Sequence, residues 1–415
     1  MDSKQSLTYE HERTTLNVGG LRMQKTLLVC LVLLGALAGL FGQNMYEAET
    51  EHYRVLSSVS PEHAQETAMA AEALAHLYNQ YFRFEMDELP SRMTVRIFAD
   101  RSDFDRHLTR IIGETRNEPV YLHFTDHARS ELVAYIMDDF EQYRASLTHQ
   151  SVIQFFRAFV QNPPLWLREG FAVYFENSYY DDERGEAVFQ ANTAWLETLQ
   201  HLMSGSLPVM PLSTVLSADV ATARSQLDTF YPQTWGMITF LTESENRQHN
   251  RMLWDAIAAL EPQASLAQNV EQVERRVLRW VNTEDLVDEF ITFVSEMRSF
   301  RQLVEQGIEY YGGGEYEAAE EQFRRAIALR DDNHVPFYYI GLILYGQGLY
   351  EQAEVYYRVA LERGGPEGLV YFALGVNAFA GSMFDDAVQF LERALERDPG
   401  SYGDRAEQLI ARIGN

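Results

Sequence analysis

The sequence predicts an α+β domain with a helical lobe, followed by an all-α array of repeats. Two observations predict this division. Strand-like and helix-like patterns alternate over residues 46–180, whereas residues 301–415 repeat the same residue types at a spacing of 34. Between them, residues 181–300 read almost entirely as helix. With 415 residues, 46% of them apolar, the chain is long enough to bury separate cores in these parts.

The part of the chain before the α+β domain predicts export. Residues 1–25 form a polar extension with basic residues at its end, and residues 26–42 contain a short apolar run. Together with the small-residue triplet Ala36-Leu37-Ala38, this is the layout of a signal peptide. A membrane span needs about 20 apolar residues, so an uncleaved membrane anchor is the alternative to cleavage. Met1 and Met23 are both candidate start residues, and we expect a protein that is periplasmic, or anchored and facing the exterior.

Composition restricts the partners and the chemistry of the chain. The formal net charge of −27 disfavours nucleic acid and anionic membrane surfaces as partners, because phosphate contacts require clustered Lys and Arg. The single cysteine, Cys30, lies inside the apolar run, so a processed chain would have no disulfide and no cysteine metal ligand. The sequence carries no signal for an oligomeric state.

The α+β domain, residues 46–180, is predicted from hydrophobic periodicity and helix caps. Ser60 and Pro61 suit a helix start, since Ser can cap the helix and Pro fits its first turn. The order of elements predicts a small mixed sheet, with two helices after it that carry the candidate site. The predicted strands are residues 50–58, 93–98, 120–124 and 131–137. The predicted helices are residues 61–81, 100–112, 138–160 and 165–178.

The helical lobe, residues 181–300, has two predicted interruptions. Prolines at both ends of the segment 208–212 are expected to break the helices there. The segment 230–233, which contains Pro232, is expected to precede an apolar helix over residues 234–241. At the start of the lobe, the acidic run Asp181-Asp182-Glu183 predicts a solvated turn.

The last part, residues 301–415, carries three copies of one pattern. Small residues recur in three registers, each with a spacing of 34: Gly307, Gly341 and Gly375; Ala319, Ala353 and Ala387; Ala326, Ala360 and Ala394. The large residues Phe323, Tyr357 and Leu391 occupy one further position. Small residues at a helix crossing let two helices approach, and large ones fill the space between neighbouring repeats. This part resembles tetratricopeptide repeats, with a capping helix over residues 401–413.

The resemblance implies a concave groove lined by the first helix of each repeat. In that register the groove residues are Val304, Ile308, Tyr311, Tyr338, Leu342, Tyr345, Phe372, Val376 and Phe379. This apolar, aromatic surface is expected to bind a protein or peptide partner. The alternative is that the lobe or the capping helix fills the groove from within.

The candidate site lies in the helix pair over residues 143–177. In an H-E-x-x-H motif, two His one helical turn apart bind zinc, and the Glu between them is the general base. His149 fits the second His, whereas the first His position is Ala145 and the base position is Ser146. Glu169, on the second helix, fits the third zinc ligand.

Four segments carry a resemblance over roughly residues 50–300. They are Thr148-His149-Gln150, Pro164-x-Trp166-Leu167-x-Glu169-Gly170-x-Ala172-x-Tyr174-Phe175-Glu176, Met210-Pro211-Leu212 and Tyr231-Pro232-Gln233-Thr234-Trp235. They resemble the peptidase MA-like gluzincins, a class of zinc metallopeptidases often fused to tetratricopeptide repeats. The resemblance implies a gluzincin-like fold with its zinc site at His149 and Glu169.

The altered motif predicts a pseudo-peptidase without a catalytic residue or a cofactor. Loss of a general base alone removes about 10²–10⁴ in rate, and loss of a ligand weakens the metal site. His149 is then an ordinary histidine hydrogen-bonded to Glu169, and Glu169 pairs with His149 or an arginine. The alternative is an active enzyme whose zinc is held by His149, Glu169 and a non-standard third ligand. His63, His123, His127 and His201 are candidates for that ligand.

Overall fold

The computed structural model of the chain describes residues 45–206 and 209–414. The predicted extension and leader, residues 1–25 and 26–42, lie outside these residues. Within the described part, no helix is both long enough and apolar enough to span a membrane.

The N-terminal domain is built on a five-stranded sheet with the order β1-β2-β3-β5-β4. The strands are β1 Tyr46–Glu49, β2 Tyr53–Ser57, β3 Met93–Phe98, β4 Val120–Leu122 and β5 Glu131–Tyr135. Strands β2, β3 and β5 are parallel, and the strands at both edges are antiparallel to their neighbours. The predicted mixed sheet is therefore present. The predicted strand 50–58 corresponds to β2, which forms a hairpin with β1, and β1 was not predicted. Parallel neighbours require crossovers, which helices α1 Pro61–Phe82 and α2 Arg101–Ile112 provide.

Each face of the sheet has its own core. On one face, α2 buries Phe104 and Leu108 against Phe98 and Val133. The other face packs against α1 and the two helices that follow the sheet, α3 Phe140–Phe159 and α4 Leu165–Phe175. The start of α4 is as predicted, and the other bounds of α3 and α4 differ from the predicted ones by one to three residues. The second face therefore places the predicted site helices on the sheet.

The lobe begins with a hairpin that the sequence pattern did not predict. Strands β6 Tyr179–Asp181 and β7 Glu186–Val188 form a two-stranded sheet, which corrects the prediction of an almost entirely helical segment over residues 181–300. Three residues per strand are too few to show a period of two. The predicted acidic turn joins the strands, and Asp181 Oδ1 accepts hydrogen bonds of 3.0 Å from the backbone N–H groups of Glu183 and Arg184.

The rest of the lobe is helical. Its helices are α5 Leu196–His201, α6 Leu212–Ser217, α7 Val220–Ser225, α8 Leu227–Glu243, α9 Arg247–Ala258, α10 Leu266–Arg276 and α11 Thr283–Glu296. Helix α8 starts before the predicted residue 234 and contains Pro232 in its interior, which corrects the predicted break. A proline there removes one backbone hydrogen bond, but α8 is buried along most of its length, so packing outweighs that loss.

Residues 300–413 form three helix pairs and a final helix. The pairs are α12 Phe300–Gly312 with α13 Tyr316–Leu329, α14 His334–Gly346 with α15 Tyr350–Glu362, and α16 Glu367–Ala380 with α17 Phe384–Arg397. The final helix, α18 Pro399–Ile413, includes the predicted capping helix. A Cβ added to Gly307, Gly341 or Gly375 would come within 2.6 Å of Phe323, Tyr357 or Leu391, respectively. The small and large positions of the repeat therefore meet at each helix crossing.

The array is joined to the lobe by polar contacts of α5 with the start of α12. Glu197 accepts a hydrogen bond of 2.7 Å from Ser299 Oγ and pairs with Arg301. Gln302 Nε2 donates to Gln200 Oε1 at 2.8 Å. These contacts fix the first repeat to the lobe.

Candidate functional site

The helix pair α3–α4 is held at its turn by side-chain hydrogen bonds. Asp139 caps α3 by accepting a bond of 3.0 Å from the backbone N–H of Gln142. At the other end, Asn162 donates 3.0 Å to the carbonyl of Ala264 and accepts 3.0 Å from Asn269 through its own carbonyl. The prolines that follow end α3 and let α4 start at Leu165. The turn therefore fixes the relative position of His149 and Glu169.

A close helix crossing brings a third element to the site. Gly170 of α4 has no side chain where α8 passes, and a Cβ there would come within 2.6 Å of Ile238 Cγ1. Helix α8 thereby places Tyr231 beside Glu169, the residue that precedes Gly170. The Tyr231 hydroxyl donates to Glu169 Oε2 at 3.4 Å.

His149 lies between two carboxylates. Its Nε2 is 3.6 Å from Glu169 Oε2, and its Nδ1 is 3.4 Å from Glu176 Oε1. The imidazole side chain is 13% exposed and that of Glu169 is 9% exposed, so both charges of this pair are largely shielded from water. His149 and Glu169 are thus brought together, as the spacing of the motif predicts.

Glu169 is also bound by an arginine. The guanidinium of Arg168 donates to Glu169 Oε1 through both Nε, at 2.8 Å, and Nη2. Glu169 therefore lies near His149 through one oxygen and is hydrogen-bonded to an arginine through the other.

The charges of the cluster reinforce each other. Burial alone would raise the pKa of Glu169, but the charges and hydrogen bonds of Arg168 and His149 lower it well below the ordinary value. Burial would lower the pKa of His149, but its bonds with Glu169 and Glu176 raise it to about 9. Burial and the charge of Glu169 raise the pKa of Tyr231. At neutral pH His149 is therefore an imidazolium, Glu169 a carboxylate and Tyr231 a neutral phenol.

Glu176 lies beside Nδ1 of His149. The sequence analysis assigned it no role. It is oriented by Asn192, whose Nδ2 donates 2.8 Å to Glu176 Oε2 and 3.3 Å to the carbonyl of Val173. Asn192 is buried and lies in the segment between β7 and α5. The only sequence signal for Glu176 is its place at the end of the motif on α4, and no pattern indicates Asn192. Tyr231 was likewise part of a matching segment but had no assigned role.

The donor atoms present do not make up a three-ligand zinc set. Ala145 supplies no donor atom at the first ligand position, and Ser146 supplies no carboxylate at the base position. Glu169 and Glu176 face opposite nitrogens of His149, so they do not converge on one ion bound by that imidazole. Catalytic zinc requires three protein ligands beside its water. His149 and Glu169 alone therefore do not fit such a site.

Of the four candidate histidines, His123 lies near Arg168 of the cluster and near Arg157, and His127 lies beside His123. Burial, the charge of Arg157 and that of Arg168 lower the pKa of His123 to about 4, and the rings of His123 and His127 are 6.4 Å apart. Burial and Arg168 lower the pKa of Arg157 to about 10. The other two lie elsewhere. His63 is bonded to Ser57 Oγ at 3.1 Å, and His201 is exposed on α5.

All nine predicted groove residues keep part of their surface accessible. Ile308 is exposed, and the others are half-buried: Val304, Tyr311, Tyr338, Leu342, Tyr345, Phe372, Val376 and Phe379. Five of them also pack against the core of the array: Tyr311, Tyr338, Leu342, Tyr345 and Phe379.

The capping helix covers one end of this groove. The ring of Tyr402 stacks on Phe372 at a centroid distance of 5.0 Å, and the Arg405 guanidinium lies 4.9 Å from the same ring. Part of the third repeat is therefore filled from within, whereas Ile308 in the first repeat stays exposed.

Two family models match parts of the chain. A model of the tetratricopeptide repeat matches residues 304–368 and 340–402. A model described as a protein of unknown function (DUF1570) matches residues 145–260. No curated protein matches the chain. The C-terminal array therefore consists of tetratricopeptide repeats, a module that generally mediates protein–protein interactions. The second match starts at Ala145 and includes α4, α8 and α9, so it covers the helices of the site.

Proposed function

We propose that this chain is an exported protein of the cell envelope that binds another protein through its repeats. Its N-terminal domain is a peptidase-like domain without catalytic activity. The observation that carries the proposal is the pairing of His149 with Glu169 and Glu176 beside the changed positions Ala145 and Ser146. The residues that would bind zinc neutralise one another instead.

The loss of chemistry has two independent causes in this arrangement. Ser146 has no carboxylate that can accept a proton from water, so the base is missing whatever the metal content. Arg168 covers the other oxygen of Glu169 with a positive charge, which opposes a cation at that carboxylate. Restoring the glutamate alone would therefore not restore a zinc site.

The binding function is supported by the exposed part of the groove. Val304, Ile308 and Val376 are apolar, accessible and not part of the hydrophobic core of the array. An apolar peptide segment of another protein can bury them, as helices and extended peptides do in such grooves. The net charge of −27 favours a segment flanked by basic residues.

The test compares three forms of the protein as bait against an envelope fraction. The groove variant carries Ile308→Glu and Val376→Glu. The matched control carries Val355→Glu on α15, where the side chain is 59% exposed. We expect one partner to bind the wild type and the control but not the groove variant. Equal capture by all three, or no specific partner, would contradict the binding function.

The enzymatic alternative is tested by metal content and by proteolysis. An active zinc hydrolase would contain tightly bound zinc that is lost in His149→Ala, and it would cleave peptides. We expect neither zinc at His149 nor cleavage. The close approach of His149 Nε2, Glu169 Oε2 and the Tyr231 hydroxyl is the observation that favours this alternative.

A further inference from the structure

A second group of potential metal ligands lies on α1 and on the turn between β1 and β2. Glu72 and His76 are four residues apart on α1, so they share one face of the helix. His52 immediately precedes β2, which packs against α1. One ligand atom from each of His52, Glu72 and His76 lies within 4.8 Å of the other two.

The two imidazoles converge on one oxygen of the carboxylate. His52 Nδ1 is 2.5 Å from Glu72 Oε1, and His76 Nε2 is 3.4 Å from the same atom. The other oxygen, Oε2, accepts 3.0 Å from the backbone N–H of His52. The two rings are nearly perpendicular, at 85°, with centroids 6.0 Å apart. The hydrogen bond from the backbone of His52 thus orients the carboxylate of Glu72 so that Oε1 lies between the imidazole nitrogens of His52 and His76.

The carboxylate is ionised in this position. Burial would raise the pKa of Glu72, but hydrogen bonds from His52 and Thr50 lower it below its ordinary value. The side chains of His52 and Glu72 are 8% and 16% exposed, whereas that of His76 is 59% exposed. One side of the group is therefore enclosed, and the side of His76 is open to solvent.

We propose that His52, Glu72 and His76 form a binding site for a divalent transition-metal ion, with Zn²⁺ as its reference ligand. Two imidazoles and one carboxylate suit Zn²⁺ better than Mg²⁺ or Ca²⁺, which prefer oxygen ligands. Three protein ligands leave the fourth position of a tetrahedral ion to water, on the open side. The ion ties the β1–β2 turn to α1 at the edge of the sheet.

Two of the three separations between ligand atoms can be compared with those around zinc. Ligand atoms of tetrahedral zinc are about 3.3 Å apart, and His76 and Glu72 already meet that separation. The shorter contact between His52 and Glu72 is a hydrogen bond, and the ion takes the place of its hydrogen atom when the imidazole is in the tautomer protonated at Nε2.

A neighbouring group with the same histidine is a weaker candidate. Glu51, His52 and Asp87 also bring their ligand atoms within 4.8 Å of one another, but both carboxylates are exposed. Exposed acidic groups are common without an ion. Their role here is to add negative charge beside His52, which attracts a cation to the site.

The test is a Zn²⁺ titration of the chelator-stripped full chain in competition with a chromophoric chelator. His76→Gln is the main variant, because this mostly exposed side chain can change without disturbing the fold. Glu72→Gln is the second variant, and His201→Gln is the matched control on an exposed histidine. We expect one Zn²⁺ per wild-type and control chain, at least ten-fold weaker binding in both site variants, and unchanged metal-free Tm in His76→Gln.

Two outcomes would overturn the proposal. One is equal Zn²⁺ affinity in the wild type and His76→Gln. The other is a single Zn²⁺ that is lost in His149→Gln but kept in His76→Gln, which would place the ion between α3 and α4. A Co²⁺-substituted chain gives a further check, since the expected visible bands are those of a nitrogen and oxygen ligand set.

Discussion

Gly170 of α4 lies against the backbone of Thr234 in α8, and a Cβ at Gly170 would come within 2.7 Å of the Thr234 carbonyl oxygen. This crossing determines the shape of the candidate site. It allows α8 to place the hydroxyl of Tyr231 3.4 Å from Glu169, and it encloses the carboxylate beside His149. The glycine of the Trp-Leu-x-Glu-Gly motif thus has a steric role, separate from any metal chemistry.

Gly170→Ala is expected to destabilise the N-terminal domain by about 1–3 kcal/mol, because backbone at a helix crossing cannot move as a side chain does. Urea unfolding of wild type and variant measures the difference. Gly312→Ala is the matched control, since a Cβ there meets nothing within 4 Å. Equal loss of stability in both variants would contradict the steric argument.

His149 is expected to make the stability of the domain depend on pH above neutrality. The pKa of His149 in the folded chain, about 9, exceeds the ordinary value of about 6.5. Its ion pairs therefore contribute fully below about pH 6.5, and that contribution is lost as the pH rises through about 9. Urea unfolding at several pH values should show this decline in the wild type.

The control for this dependence is His149→Gln, which keeps hydrogen bonding but has no titrating group. We expect its stability to be lower at neutral pH and almost independent of pH over the same interval. A decline as steep as that of the wild type would show that other groups cause it.

Asn192 is expected to act on His149 through Glu176. Asn192→Ala removes a buried hydrogen-bond donor and should cost about 1–3 kcal/mol. It also removes the hydrogen bond that orients the Glu176 carboxylate towards His149. The pKa of His149 should therefore fall towards its ordinary value. NMR titration of the His149 imidazole in wild type and variant measures this shift. An unchanged pKa would mean that Glu169 alone sets it.

Gly341 is expected to stabilise the second repeat by leaving room for Tyr357. A Cβ at Gly341 would come within 2.6 Å of the ring of Tyr357, which is buried. Gly341→Ala should therefore destabilise the array by about 1–3 kcal/mol. Gly346→Ala, at the exposed end of the same helix, meets no atom within 4 Å and serves as the control. Thermal unfolding followed by circular dichroism distinguishes the two.

Elements with a clear local pattern could be predicted from the sequence. The repeats recur every 34 residues because each packs against its neighbours in the same way, so the spacing alone identifies Gly341 and Tyr357 as packing positions. Strand β3 has the predicted bounds, and α2 begins at Arg101, one residue after its predicted start. The hairpin β6–β7 and the start of α8 were missed. Strands of three residues show no period, and a buried helix tolerates an internal proline that local rules exclude.

The candidate site shows the same division. The motif spacing by itself determined that His149 and Glu169 would face each other, because consecutive helices joined by a short proline turn pack side by side. Only the tertiary structure decided that Glu176, Asn192 and Tyr231 complete the cluster. It also decided that His52 meets Glu72 and His76. These contacts join residues 16–62 positions apart, and long-range contacts depend on how whole elements pack rather than on any local pattern.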